Sequence, residues 1–300
     1  MRVRRKRRNR AQASSVAGRS EKSFLDTSVA IKLLTGHTEH RRYLENAVPR
    51  PWYVNNYVRM EFYRATLILW IDLYFESGEA FHPTFGQALL YFADKFGRGP
   101  KAVLNAIGNI ISDSGFDLGD PSEKEVCRQK LQDMIFSIAL AFEQALRDDG
   151  CDPTRCTRVK EPLRFRFRDM REKSLQDVVL QFHDVTECRR ECNIESIFRG
   201  KPSGALTPRI SKLKDLDAAR ASDLRTGEAV IEADLDPTAI TCSLCEKMGD
   251  AVIACALQPN WRLHSLDFAH EKICARLGLK CTIHPSLSKI RAAAGATPGA

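Results

Sequence analysis

The chain has 300 residues, 43% of them hydrophobic, which is enough to bury a sizeable core as one large domain or as a domain with a large insertion. Lys and Arg outnumber Asp and Glu by 46 to 38, for a net charge of +8. No run reaches the roughly 18 apolar residues of a membrane span, and the basic N-terminus is not followed by the apolar stretch of a secretory signal. We therefore expect a soluble, cytoplasmic protein with no membrane partner.

The net charge is concentrated in residues 1 to 22, which contain nine Lys or Arg and one Glu. The rest of this segment includes Gln, Ser, Gly and Ala and cannot form a core, so we predict a disordered tail. Its charge has two interpretations, a solubilising leader or an arm that binds nucleic acid.

The first predicted strand ends at an acidic residue. The run from Ser23 to Leu25 leads into Asp26, and a helical pattern then continues from Thr27 to about Ala47. In open α/β sheets, ligands and metals collect at the carboxyl ends of the strands. Asp26 is therefore the first candidate for chemistry.

A second acidic residue lies in the next helical pattern. The aromatic run Trp52 to Val54 predicts a strand, and the segment from Asn56 to Phe75 is apolar on nearly all sides, which predicts a helix buried on most faces. Glu61 lies near the start of this helix. Because a carboxylate is rarely buried without a partner, Glu61 either pairs with Arg59 or Arg64 or faces a metal ion.

Residues 80 to 236 are predicted to form an insertion in three parts. Residues 80 to 150 read as helices, residues 151 to 198 are rich in Cys and Arg, and residues 199 to 236 form a polar linker. The clearest helix runs from Glu123 to Leu146, where apolar residues recur at three- and four-residue steps.

An arginine-bearing segment lies in the second part of the insertion. The strict alternation from Leu163 to Arg168 predicts a half-buried strand or ribbon. Its three arginines, Arg164, Arg166 and Arg168, either contact nucleic-acid phosphates or form a solvated strand face.

The ten cysteines are expected to be reduced thiols, because no secretory signal directs the chain to an oxidising compartment. Two close pairs have spacings that allow a structural zinc site, with His183 as an alternative ligand, but these spacings are looser than usual and buried or surface thiols are the better interpretation. These pairs are Cys151 with Cys156 and Cys188 with Cys192. Core packing is the better interpretation for Cys242, Cys245, Cys255, Cys274 and Cys281.

After the insertion, residues 237 to 286 return to an α/β pattern, and residues 287 to 300 are predicted to be a flexible C-terminal tail. Asp250 opens an apolar helical run, and the strand pattern from Trp261 ends at Asp267. A helix to Leu277 and a short strand from Lys280 to Ile283 follow. If the strands before Asp26 and Asp267 are parallel neighbours, their carboxylates meet at one sheet edge, and such a cluster suits Mg²⁺ or Mn²⁺.

Four motifs in order resemble those of the PIN-domain ribonuclease family. They cover about residues 23 to 75 and 237 to 286, and Asp26 precedes Glu61 by 35 residues while Asp250 precedes Asp267 by 17. The motifs are Phe24-Leu25-Asp26-Thr27-Ser28, the segment Asn55 to Arg64 with Glu61, Gly249-Asp250-Ala251-Val252-Ile253-Ala254, and Leu263-His264-Ser265-Leu266-Asp267.

The resemblance implies a PIN-like central parallel sheet flanked by helices, formed by residues 23 to 79 and 237 to 286, with a mainly helical, Cys-containing insertion between the two parts. It also implies Mg²⁺- or Mn²⁺-dependent endoribonucleolytic hydrolysis of RNA. The metal ligands and catalytic residues would be Asp26, Glu61, Asp250 and Asp267. The supporting hydroxyls would be Thr27, Ser28 and Ser265.

Three hypotheses follow. The first is the endoribonuclease, the second is a non-catalytic PIN-like module that binds nucleic acid or protein, and the third is an unrelated helical scaffold with a chance motif match. The candidate partners are an RNA substrate, an inhibitory antitoxin-like protein, as in many members of the family, and a second copy of the chain in a homodimer.

Overall fold

A computed structural model describes residues 21–95, 114–148, 207–214, 226–232, 247–258 and 260–295, together with residues 104, 107, 108, 110, 111 and 216. The strands are β1 Lys22–Leu25, β2 Trp52–Val54, β3 Leu146–Asp148, β4 Trp261–Ser265 and β5 Lys280–Ile283. The α-helices are α1 Thr27–Thr35, α2 Thr38–Ala47, α3 Asn56–Phe62, α4 Ile68–Gly78, α5 Phe85–Asp94, α6 Lys124–Ala145, α7 Pro208–Ser211, α8 Gly249–Ala256, α9 Phe268–Leu277 and α10 Leu287–Gly295.

The five strands form one parallel sheet in the order β3-β2-β1-β4-β5, flanked by helices. The predicted α/β class with a central parallel sheet flanked by helices is therefore confirmed. The order of the strands reverses between β1 and β4, because β2 and β3 follow on one side and β4 and β5 on the other. Such a switch point opens a crevice at the carboxyl ends of the two central strands.

The central strand β1 is buried, as expected for a parallel sheet covered on both faces. Phe24 and Leu25 are fully buried, and Phe24 pairs in register with Leu263 of β4. The sheet shares one hydrophobic core with α1, α3, α4, α6, α8 and α9. Asp26 thus follows a strand that pairs with β2 and β4 at its two edges and is buried on both faces.

The predicted buried helix from Asn56 to Phe75 is confirmed, with a π-helical turn at Tyr63–Leu67 between α3 and α4. Such turns occur often at functional sites, and this one begins two residues after Glu61. The helix α6 packs closely against the end of α3, since the rings of Phe62 and Phe142 stack with their centroids 4.0 Å apart.

Residues 80 to 150 differ from the prediction of a purely helical segment. Leu146–Asp148 forms β3 and pairs in parallel with β2 as an edge strand of the main sheet. A strand of three residues carries too little pattern to be predicted, because its conformation comes from pairing with its neighbour. Leu146, which the pattern placed in the preceding helix, is buried in this strand.

The C-terminal region also differs from the prediction of a flexible tail from residue 287. Leu287–Gly295 forms the helix α10, and the Nε atom of Arg291 lies 2.7 Å from an Oε atom of Glu39 on α2. Among the described residues, no helix has both the length and the apolar character needed to cross a membrane.

We expect Phe142→Ala to lower the free energy of unfolding by about 3 to 5 kcal/mol, because it removes a fully buried ring that joins α6 to α3. Urea denaturation measures this change. As a matched control, Phe81→Ala removes a ring that is 61% exposed and should cost less than about 1 kcal/mol. Equal losses in the two variants would show that α6 does not pack into the common core.

Candidate functional site

The candidate site lies at the carboxyl ends of β1 and β4. The two strands pair in parallel, with Leu25 opposite His264, and the backbone N–H of Asp26 donates to the carbonyl oxygen of His264 at 3.0 Å. The prediction that the strands before Asp26 and Asp267 are parallel neighbours is therefore confirmed. This pairing places both acids at the switch point of the sheet.

Asp26 is buried and held by hydroxyl groups. Its Oδ2 atom accepts hydrogen bonds from the hydroxyls of Ser28 at 2.5 Å and of Ser265 at 2.9 Å. The Ser28 hydroxyl in turn accepts from the backbone N–H of Leu266 at 3.2 Å. Ser28 on α1 and Ser265 at the end of β4, which the resemblance assigned as supporting residues, thus fix the position of the Asp26 carboxylate from two elements.

Glu61 is partly buried, and the pKa of its carboxyl is raised. Burial, reinforced by the negative charges of Asp26 and Asp250, raises the pKa of Glu61 to about 7, although a hydrogen bond from the Thr27 hydroxyl opposes the shift. This direction is opposite to the one that an ion pair with an arginine produces. Glu61 therefore belongs electrostatically to the same group as Asp26 and Asp250.

Gly249 allows α8 to approach α3 at this point. A Cβ atom on Gly249 would lie 2.7 Å from the Oη atom of Tyr57 and 3.1 Å from an Oε atom of Glu61. Any side chain there would displace one of these groups. Glycine at the first position of α8 thus brings Asp250, the next residue, to the side of α3 that carries Glu61.

His270 is a site residue that the sequence analysis missed. It lies on the first turn of α9 and is 1% exposed. Its Nδ1 atom is 4.0 Å from Asp26 Oδ2, and its Nε2 atom is 3.5 Å from Asp250 Oδ1. The available signal was its position three residues after Asp267, one helical turn beyond an acid that ends a strand.

The charge and hydrogen bonding of His270 follow from these neighbours. Burial disfavours the imidazolium, but the carboxylates of Asp26 and Asp250 outweigh it and raise the pKa of His270. The Ser265 hydroxyl has one hydrogen, which it donates to Asp26, so the contact of 3.1 Å to His270 Nδ1 is made by the imidazole N–H. The His270 Nε2 atom is buried, and among the residues that the structure describes it has no hydrogen-bond partner.

Asp267 has a local structural role. Its carboxylate accepts from the backbone N–H of Ala269 at 2.9 Å and so caps α9. Its own backbone N–H donates to the Ser265 hydroxyl at 2.9 Å. It also contributes to raising the pKa of His270. Of the four predicted acids, Asp26 and Asp250 contribute to raising the pKa of Glu61, and they and Asp267 all contribute to raising the pKa of His270.

Several predicted residues fall outside the described part of the chain. Neither the cysteine pairs and His183 nor the arginines of residues 163 to 168 can be placed. Within the described ranges, no group of three or more His, Cys, Asp or Glu side chains is arranged to hold a metal ion as it stands.

The raised pKa of Glu61 predicts that the free energy of unfolding of the metal-free protein falls as the pH rises from 4.5, the ordinary pKa, to about 7. The unfolded chain releases the Glu61 proton near the lower value, whereas the folded protein retains it up to the higher one. This loss approaches about 3 kcal/mol. Because Glu61→Gln has no such proton, urea denaturation in EDTA at about pH 5 and about pH 8 should show a smaller decrease than for wild type.

The exposed Glu79→Gln provides a matched control and should retain the wild-type decrease. An unchanged decrease in Glu61→Gln would mean that Glu61 is ionised in the folded protein already near pH 5.

Comparisons with known proteins do not assign this chain to a family. No protein-family model, no curated protein and no solved structure matches this chain. A functional assignment therefore depends on the site itself and on the order of its motifs in the sequence.

Proposed function

We propose that the protein is a divalent-metal-dependent endoribonuclease that uses Mg²⁺ or Mn²⁺. One observation carries the proposal: Asp26, Glu61 and Asp250 come together at this edge of the sheet, since His270 contacts both Asp26 and Asp250 and the hydroxyl of Thr27, the residue after Asp26, donates to Glu61. Carboxylates gathered at the crevice of a parallel sheet need a counter-cation to ionise together. A divalent metal ion is the usual counter-cation of such a cluster.

The donor set fits a hard cation. All three groups offer carboxylate oxygens, which Mg²⁺ and Mn²⁺ prefer. Mg²⁺ commonly takes only one or two protein carboxylates, keeps several waters and adds phosphate oxygens of the substrate. Asp250, whose side chain is 32% exposed, is open to such an ion from solvent, while Asp26 is buried beneath. The site therefore does not need three direct protein ligands.

When bound, the metal would polarise the scissile phosphate and lower the pKa of a coordinated water. The residues of the chain hold the carboxylates in position. Ser28 and Ser265 hold Asp26, the Thr27 hydroxyl holds Glu61, and the imidazolium of His270 offsets part of the repulsion between Asp26 and Asp250. Outer contacts of this kind orient metal ligands and tune their basicity.

The choice of RNA as the substrate comes from the resemblance to PIN-domain ribonucleases. Asp26, Glu61, Asp250 and Asp267 follow one another in the order of the family's motifs. A cluster of carboxylates that binds a divalent ion suits phosphodiester hydrolysis in general. The order of the four acids in the motifs is the reason for proposing RNA over other phosphodiesters.

A second candidate function is a non-catalytic module that binds nucleic acid or protein. The specific observation in its favour is His270, since its imidazole already lies between Asp26 and Asp250 and their carboxylates raise its pKa, so that its protonated form would partly take the role of the counter-cation. In such a module, the acids would serve the stability of the fold and not a metal ion.

Metal binding separates the two candidates. We expect Mn²⁺ to raise the free energy of unfolding, by about 2.7 kcal/mol at 100 times its dissociation constant. Thermal unfolding near pH 8, with Mn²⁺ or EDTA, measures this effect, and Asp26→Asn should abolish it because it removes a buried carboxylate of the cluster. Equal melting temperatures of the wild type with and without Mn²⁺ would favour the non-catalytic module.

We further expect Asp26→Asn and Asp250→Asn each to reduce Mn²⁺-dependent cleavage of a labelled RNA by more than the roughly 10- to 100-fold that loss of an outer-shell partner causes. The control is Asp133→Asn, which changes an exposed carboxylate on α6 and should leave the rate unchanged. Cleavage at the wild-type rate by either site variant, with the fold intact by circular dichroism, would exclude the endoribonuclease.

A further inference from the structure

Phe268 is a large aromatic residue exposed at the edge of the candidate site. It is the first residue of α9, directly after Asp267 and two residues before His270. The side chain is 41% exposed. A single exposed aromatic ring is common, but this ring lies on the first turn of the helix that Asp267 caps and that carries His270.

A cation accompanies this ring. The ammonium group of Lys289, on α10, lies 5.5 Å from the centroid of the Phe268 ring, within the range of a cation–π contact. The helix α10 begins four residues after β5, which runs parallel to β4. The carboxyl ends of β4 and β5 therefore lie at the same sheet edge, and both side chains belong to the edge that carries the acids.

We propose that Phe268 and Lys289 form a subsite that binds one nucleotide of single-stranded RNA, with the base stacked on the Phe268 ring and Lys289 near the phosphate backbone. This inference rests on the proposed function, since it names the form of the substrate for the same site. It assigns to the Phe268 ring a role in binding substrate and not in packing the core.

The chemistry of the two side chains specifies this ligand. A phenyl ring carries no hydrogen-bonding group, so it stacks on any base without reading its identity. The ammonium group adds a contact to the backbone phosphate. In a duplex both faces of each base are already stacked on their neighbours, whereas an unpaired base can turn out onto an aromatic ring. The subsite therefore favours single strands and is tolerant of sequence.

Phe268 can be replaced without removing the structural contacts of the site. The cap of α9 joins the Asp267 carboxylate to the backbone N–H of Ala269 and does not involve the Phe268 side chain. Phe268→Ala removes the ring, whereas Phe268→Trp retains a stacking surface. Phe81→Ala, which removes a ring that is 61% exposed elsewhere, controls for a general loss of surface aromatic groups.

The test measures binding of a fluorescein-labelled single-stranded RNA of about 12 nucleotides by anisotropy. It uses two parent proteins, the full-length Asp26→Asn protein in Mg²⁺, to prevent cleavage, and the wild type in EDTA.

Phe268→Ala should weaken binding about 10-fold relative to its parent, as expected for the loss of one stacked base. Phe268→Trp should bind within about 2-fold of the parent, and Phe81→Ala should equal it. Lys289→Gln should reduce the slope of log K against log salt by about 0.7.

A second strand with the bases removed from its central nucleotides distinguishes stacking from a structural effect. This strand should bind the parent protein about 10-fold more weakly, and Phe268→Ala should add no further loss, because ring and base act as one pair. The inference is overturned if Phe268→Ala binds the normal strand as tightly as the parent, if the two losses add, if duplex RNA shows the same dependence on Phe268, or if no RNA binds.

These outcomes are independent of the cleavage chemistry. Loss of the coupling between ring and base, with Asp26-dependent cleavage intact, would remove the subsite and leave the endoribonuclease in place. Coupling that persists in a protein without Asp26-dependent cleavage would retain the subsite as part of a non-catalytic RNA-binding module.

Discussion

The parallel pairing of β1 with β4 is the contact on which the candidate site depends. It joins Asp26 to Ser265 across 239 positions of sequence through a hydrogen bond of 2.9 Å. A shift of this pairing by one residue would turn alternate side chains to the opposite face of the sheet. The fully buried Phe24, Leu25 and Leu263 hold the register because such a shift would take these side chains out of their core packing. The hydrophobic core of the sheet therefore also sets the position of the acids.

The electrostatics of the site work against the stability of the fold. Burial of Glu61, reinforced by repulsion from the carboxylates of Asp26 and Asp250, raises its pKa to about 7. His270 offsets part of this repulsion, and burial makes its own charge costly. A cluster that only stabilised the fold would be better served by apolar side chains of similar size. The position of such a cluster at the switch point of the sheet is typical of a site that binds a charged ligand.

The sequence predicted those parts of the fold and the site that leave a local pattern. Strands ending at Asp26 and Asp267 were visible because each acid follows a short β-prone run. The strand β3 was not visible, since three residues have no periodicity and Leu146 continued the stripe of the preceding helix. The helix α10 was assigned to a tail because its apolar face is short. His270 was missed because its role comes from Asp26 and Asp250, which are distant in sequence.

The first turn of α9 carries both residues that support the site and the ring that we propose binds RNA. Asp267 caps the helix, so the backbone direction of the following residues is set. Successive helical positions turn by about 100°, which places Phe268 and His270 roughly 200° apart around the axis. Their exposures agree, since Phe268 is 41% exposed and His270 is 1% exposed. One face of this turn therefore meets the acids in the interior while the other meets solvent. A strand of RNA lying across the edge could contact the exposed ring without disturbing the buried histidine.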